Sequence, residues 1–265
     1  MSPFLALSGL LVLVILTTWI LSVVTREYSW VDRIWSVAPP VYAVLTAAGA
    51  GFRDARLDLV AVLICAWGAR LTFNFWRRGG YAKGGEDYRW AILKEKLGPV
   101  GFQVFNATFI SPYQNLLVWL IVAPMHTMSE HPTPLGPLDA GLAVLFIGLL
   151  AGELVSDQQQ YDFQTAKHAA LARGETVQNF RTDGLFRYSR HPNYFFEVAQ
   201  WWVVYAFAVV ASGIPLHWTL AGPILLTLLF DGSTRFTEWI TLSKYPEYAE
   251  YQRKTWRIVP LPVRD

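Results

Sequence analysis

The chain has 265 residues, 53% of them apolar and only 16% charged, with a formal net charge of +2 and a positive mean hydropathy of +0.29. That balance excludes an ordinary soluble domain and fits a polytopic membrane protein. The one cysteine, Cys65, lies in an apolar run, which removes a disulfide framework and a thiolate metal site, and the small net charge gives no reason to expect nucleic acid as a partner.

Crossing a bilayer takes about 20 apolar residues. The stretches 4–24, 30–49, 57–76, 102–125, 138–155, 194–212 and 218–239 meet that need approximately. The first is not expected to be a cleaved signal, because it lacks a basic leader and its apolar run is too long. With the N-terminus outside, every Lys and Arg except Arg53, Arg56 and Arg70 falls on the cytoplasmic side, as positive-inside asymmetry requires. The expectation is an all-α polytopic membrane protein: seven transmembrane helices, N-terminus outside and C-terminus cytoplasmic, forming one integral domain over 1–265. No internal repeat or long linker interrupts it. The inside segments are longer and more polar, so function should face the cytoplasm.

In chain order, the second stretch carries Trp30, Asp32, Arg33 and Trp35 before Pro39-Pro40. These fit a snorkelling, aromatic-belted helix end or a functional cluster. Toward the end of the third stretch, Arg70, Asn74 and Arg77 share one helical face. Arg70 lies nearly two turns inside the membrane, where an unpaired charge costs roughly 2.5 kcal/mol or more, so a partner or an anionic ligand is expected. The loop 79–89 ends in Arg89 and holds two Gly-Gly pairs, which permit close approach of backbone to a ligand.

The fourth stretch contains Gln103, Asn106, Ser111, Tyr113, Gln114 and Asn115, suited to interhelical hydrogen bonds or to a polar wall of a substrate cavity. The fifth ends with Glu153 and Asp157 on one face. Those carboxylates could snorkel, pair with cations or accept bonds from ribose hydroxyls.

The densest polar stretch is 180–197, with Arg181, Asp183, Arg187, Arg190, His191, Asn193, Tyr194 and Glu197. Pro192 suits the first turn of a helix. From there Asn193, Glu197 and Gln200 recur at i, i+4 and i+7, one polar stripe entering an apolar segment. Arg187 and Arg190 precede a helix N-terminus whose free N–H groups favour anions, an arrangement suited to phosphate. The last stretch leaves the membrane through Asp231, Arg235 and Glu238, followed by Lys244 and Tyr245. Arg235 and Glu238 at i and i+3 could pair with each other.

No Gly-rich dinucleotide fingerprint, phosphate loop or Gly-x-Ser-x-Gly elbow is present, and the five histidines are scattered, so no metal site is expected. The residues alone thus point to a membrane enzyme or carrier whose cytoplasmic mouth takes a phosphate-bearing ligand.

At Arg187-Tyr-Ser-Arg190-His191-Pro192-Asn193-Tyr194-x-x-Glu197 the sequence resembles the C-terminal domain of the steroid 5α-reductase family, in particular its bacterial members. Trp67-Gly-x-Arg70-Leu, Gly85-Glu86-Asp87-x-Arg89, Trp201-Trp202 and Lys244-Tyr245-Pro246 extend the resemblance over nearly the whole chain. It implies an inner-membrane reductase that holds NADPH at the cytoplasmic mouth. Such an enzyme reduces the C4–C5 double bond of a 3-oxo-Δ4 steroid or related enone lipid, hydride passing to the enone's β carbon while acids polarise the ketone.

By position, the resemblance places Asn193 and Glu197 at the nicotinamide and reacting centre, with Tyr194 and Asp32 as further catalytic candidates. It assigns cofactor contacts to Arg70, Asp157, Arg235, Glu238, Lys244 and Tyr245, and the cofactor expected there would also meet Asn74 and Arg77 on the face of Arg70, Arg89 in the loop, and Arg187, Arg190 and His191 before the helix. Substrate contacts would come from Trp30, Arg33, Trp35, Tyr113 and Gln114. The family's animal enzymes carry adjacent Gln and Glu near where Asp32 and Arg33 stand, so the proton donor is left open, with Tyr194 and Tyr113 as unranked candidates. No obligatory protein partner is implied beyond substrate and membrane lipid. The rival is an S-adenosylmethionine-dependent methyltransferase of the isoprenylcysteine carboxyl type, which shares the Arg-His-Pro-x-Tyr motif. Asn193 followed by Glu197, and the many cations suited to an extra phosphate, favour NADPH.

Overall fold

A computed structural model describes residues 3–264. Among these residues all regular structure is helical, and the one strand-like feature is an isolated parallel bridge between Ser189 and Trp256. The α-helices are α1 (Pro3–Thr25), α2 (Trp30–Trp35), α3 (Ala38–Gly49), α4 (Ala55–Arg77), α5 (Tyr88–Phe105), α6 (Gln114–Val122), α7 (Pro124–Glu130), α8 (Pro137–Ala172), α9 (Pro192–Ser212), α10 (Ala221–Lys244) and α11 (Tyr248–Lys254). Four helical segments are long and apolar enough to cross a membrane: Phe4–Thr25, α4, α8 and α9. The chain is therefore an all-helical membrane protein.

The other three apolar stretches are not single long apolar helices. The stretch 30–49 breaks at Ser36–Val37, where Pro39 and Pro40 occupy the first turn of α3 and favour a new helix start. The stretch 102–125 passes from α5 through a π-helix, Asn106–Tyr113, into α6 and α7. Pro112 and Pro124 each lack the N–H that would continue the preceding turns. The stretch 218–239 begins as a 3-10 turn, Trp218–Leu220, and α10 is apolar only up to Phe230 before Asp231, Arg235 and Glu238. At the fifth stretch, α8 continues to Ala172. Its 36 residues rise roughly 54 Å, well beyond a hydrocarbon core of about 30 Å, so the polar end stands clear of it.

The chain divides into two compact units: 1–143 with 203–225, and 144–202 with 226–265. In the first, α1 meets the π-helix through a buried polar seam. Thr18 and Ser111 hydroxyls lie 2.6 Å apart, Asn115 donates to Thr18 at 2.9 Å, and Asn106 donates to Ser22 at 2.9 Å. These bonds tie the amide nitrogens of Asn106 and Asn115 and the Ser111 hydroxyl across to α1, while the amide oxygens of Asn106 and Asn115 are buried without a donor among the described residues. Gly68 lets α4 approach α3: a Cβ there would meet the Pro40 ring and lie 2.7 Å from Ser36 O. At the other end of α4, buried Arg56 grips Asp139 at 2.7 and 2.9 Å and the Pro134 carbonyl at 3.2 Å.

In the second unit, α8 and α9 run close together. Gly152 makes room for Phe196, whose ring would lie 2.5 Å from an added Cβ. Residues 181–191 fold back on the tail. The Arg190 N–H bonds the Trp256 carbonyl at 2.8 Å, the His191 N–H bonds Arg257 at 3.0 Å, and Ser189 Oγ donates to Ile258 at 2.6 Å.

Candidate functional site

Proline at N1 starts α9, and its first three turns carry Asn193, Glu197 and Gln200 along one line of the helix. Asn193 is half-buried, whereas Glu197 and Gln200 are buried. On α8 of the same unit Glu153, Ser156 and Asp157 are buried as well. The two helices are joined there: the Gln200 amide nitrogen donates to Glu153 Oε2 at 2.7 Å and to the Phe196 carbonyl at 3.1 Å. Three carboxyl side chains, Glu153, Asp157 and Glu197, are thus withdrawn from solvent on α8 and α9. The i, i+4 spacing made the α8 pair visible; the Glu153–Gln200 bond carried no signal in the sequence.

The cations of 180–197 are used differently from one another. Arg190 presents its guanidinium fork to Glu238 at 2.7 and 2.9 Å and donates to the carbonyls of Gln252, at 3.0 Å, and Thr255. His191 Nε2 lies 3.0 Å from Glu238 Oε1, and Gln252 donates to the same carboxylate at 3.0 Å. Glu238 therefore gathers Arg190, His191 and Gln252 into one buried network that fastens α9's entry to α10 and to the chain around α11. Arg235, rather than joining Glu238 at i+3, turns back to Asp231 at 2.7 Å, where Arg257 also binds. A carboxylate with three donors from distant elements outcompetes an exposed local pair, whose gain is small. Arg181 pairs with Asp183 at 2.9 Å. Arg187 stands exposed on a 3-10 turn, with no carboxylate partner among the described residues.

Tyr194 stacks on His191 with ring centres 5.6 Å apart and leans on Phe230 at 4.6 Å. Lys244 is exposed, and Tyr245 receives Lys167 over its ring at 5.2 Å. Around α11, burial raises the phenols of Tyr248 and Tyr251 well above the ordinary tyrosine range. Tyr251 donates to the Phe186 carbonyl.

The remaining candidates lie in the first unit. Arg33 bonds Glu27 at 2.8 Å and the carbonyls of Gly80 and Ala82 at 3.3 Å, with Trp30 stacked 4.7 Å away. The guanidinium of Arg33, helped by the Gly84 N–H, holds the Glu27 carboxyl below its usual range. Asp32 accepts from Trp90 Nε1 at 3.1 Å, and Asp87 caps α5 while holding Arg89 at 2.7 to 3.0 Å. The loop 79–89 thus closes on 27–33. Its glycines serve that turn: a Cβ on Gly85 would collide with the Gly79 carbonyl. Buried Asn74 accepts from Arg77 at 2.9 Å, and Arg70 is buried on the same face. Trp35 is half-buried on α2, Gln114 is buried, and Tyr113 stacks on Phe109 at 4.9 Å. Among the described residues no group of His, Cys, Asp and Glu is placed to hold a metal ion.

The fold and this site define a class, a helical membrane protein with a buried carboxyl-rich face on two of its crossing helices. Within that class the chain belongs to the family described as protein of unknown function (DUF1295), whose profile matches residues 18–255. It is 34% identical to the uncharacterized protein C594.04c of Schizosaccharomyces pombe, over 98% of this chain and 80% of that protein. No solved structure matches it.

Proposed function

We propose that the protein is an NADPH-dependent reductase of an enone lipid, with a 3-oxo-Δ4 steroid as the model substrate. The observation that carries this reading is the α9 stripe. Asn193, Glu197 and Gln200 enter an apolar helix, and the buried Glu153 and Asp157 stand on α8 in the same unit. Placing such groups in a membrane helix is costly, and they mark functional sites by default. The resemblance of 187–197 to steroid 5α-reductases supplies the chemistry. When bound, NADPH supplies a hydride to the enone.

Asn193 and Glu197 would orient the nicotinamide end, and Arg187, exposed and without a carboxylate partner, would take phosphate. Arg190, His191 and Glu238 hold the mouth in shape from behind. In the same reading the protein crosses the membrane seven times. α2 with α3, the segment 102–125, and 218–239 complete the four long apolar helices, and the C-terminus lies in the cytoplasm. The Lys and Arg asymmetry supports that orientation. Reporter fusions at both termini test it, and a reporter placing both ends on one side refutes an odd number of crossings.

The assay is NADPH oxidation by detergent-purified protein on addition of a 3-oxo-Δ4 steroid. Glu197→Gln is expected to cut turnover with little change in steroid retention. Methyl transfer from S-adenosylmethionine, without NADPH turnover, would overturn the reductase reading.

A further inference from the structure

Gln200 sits at the deep end of the α9 stripe, about 10 Å along the helix axis from Asn193, and is fully buried. Its amide nitrogen has two partners, Glu153 Oε2 at 2.7 Å and the Phe196 carbonyl at 3.1 Å. A backbone carbonyl can only accept, so the amide cannot be turned round without setting oxygen against oxygen. Its orientation is therefore fixed by the network. The other end, Oε1, is buried, and no described group donates to it. Buried acceptors are nearly always paired, because an orphan keeps its full desolvation penalty. The acceptor belongs to the same helical line as Asn193 and Glu197, one turn beyond Glu197, and Glu153 on α8 holds it still.

We propose that Gln200 is a cofactor-binding residue whose Oε1 accepts a hydrogen bond from the carboxamide N–H of the nicotinamide ring, with Glu153 as the positioning residue that aims it. This rests on the reductase reading and adds to it the group that tells a carboxamide from other ring substituents. Oε1 offers only lone pairs, so it selects a ligand end that carries hydrogen. A ring bearing a ketone instead of an amide presents nothing to it, and the acceptor would stay orphaned in that complex.

The test is equilibrium binding to the full-length protein in detergent, read by dinucleotide fluorescence. NADPH is compared with its reduced 3-acetylpyridine analogue, in which a methyl group replaces the amide nitrogen. The wild type is expected to prefer NADPH about tenfold, the ratio that goes with one buried hydrogen bond. Gln200→Met, similar in size but without an acceptor amide, is expected to bind the two alike. Glu153→Gln keeps an acceptor for the amide nitrogen and should preserve the preference. If the wild type binds both dinucleotides equally, the assignment of Gln200 is wrong while the reductase reading stands. A preference that survives in Gln200→Met gives the carboxamide to another residue and equally overturns the assignment. Binding of neither dinucleotide removes the reductase reading and this inference with it. Should Gln200→Met not survive purification, Gln200→Leu, which also lacks the acceptor, is read in its place, and equal binding of the two dinucleotides by the wild type still overturns the assignment.

Discussion

Removing Arg190 distinguishes a cofactor-facing cation from a structural one. Glu238 is only 5% exposed and receives the Arg190 fork at 2.7 and 2.9 Å, with His191 and Gln252 at 3.0 Å each. Arg190→Ala would leave that carboxylate with two donors in place of four contacts, and would strand the carbonyls of Gln252 and Thr255. Breaking a buried ion pair from one side costs about 3–5 kcal/mol, and the remaining donors favour the lower end. For a chain of this size, 1 kcal/mol moves the melting temperature by about 2–4 °C, so a loss of about 3 kcal/mol lowers it by roughly 6–12 °C. Thermal unfolding followed by tryptophan fluorescence in detergent measures it. The paired variant Arg190→Met with Glu238→Leu removes both charges and should recover most of the loss, since apolar replacement of a buried pair is often neutral. Well below the melting temperature, the Michaelis constant for NADPH should change little in Arg190→Ala. If that variant melts with the wild type and raises the Michaelis constant, the network is not structural and Arg190 faces the cofactor after all.

Arg187→Ala should behave in the opposite way, raising the Michaelis constant for NADPH with unchanged melting, because its side chain is exposed and holds no carboxylate; an unchanged constant returns it to the surface. Gly68→Val should destabilise by about 1–3 kcal/mol through overpacking, since its side chain meets Pro40 and Ser36, whereas Gly148→Val, with open space around it, should melt like the wild type. Equal melting of the two variants would refute the close approach of α3 and α4. Tyr248 and Tyr251 remain protonated in the fold above the ordinary phenol value of 10.0, where an unfolded chain ionises. Their contribution is therefore complete below about pH 10 and is lost as pH climbs toward the raised value. Melting temperatures taken through that range should fall, less steeply in Tyr248→Phe; a flat profile would show that these phenols are not buried.

Local chemistry was legible in the linear chain. Apolar runs of about 20 residues, close to the length that spans a bilayer's hydrocarbon core, mark Phe4–Thr25, α4, α8 and α9 as candidate crossing helices, because helical rise and hydrocarbon thickness are fixed lengths. Periodicity put Asn193, Glu197 and Gln200 on one line and Glu153 beside Asp157, because that line depends only on the 3.6-residue turn. Prolines 39, 112 and 124 were visible too, yet hydropathy alone ran the second and fourth stretches through the breaks, since an average over side chains does not register a lost N–H.

Partners were another matter. Charge and spacing offered Arg190 and His191 to phosphate and Arg235 to Glu238, and only the folded chain brought Glu238 to Arg190, His191 and Gln252 while sending Arg235 to Asp231. The glycine-rich loop 79–89 likewise had the composition of a ligand cradle and closes on 27–33 instead. A charged side chain binds whatever opposite charge tertiary packing delivers, and that delivery is not written in local sequence. Composition and period thus determined which helices are long and apolar enough to cross a membrane and which faces are polar; the tertiary structure decided which polar groups are spent on one another and left Gln200 Oε1 as a buried acceptor without a donor among the described residues.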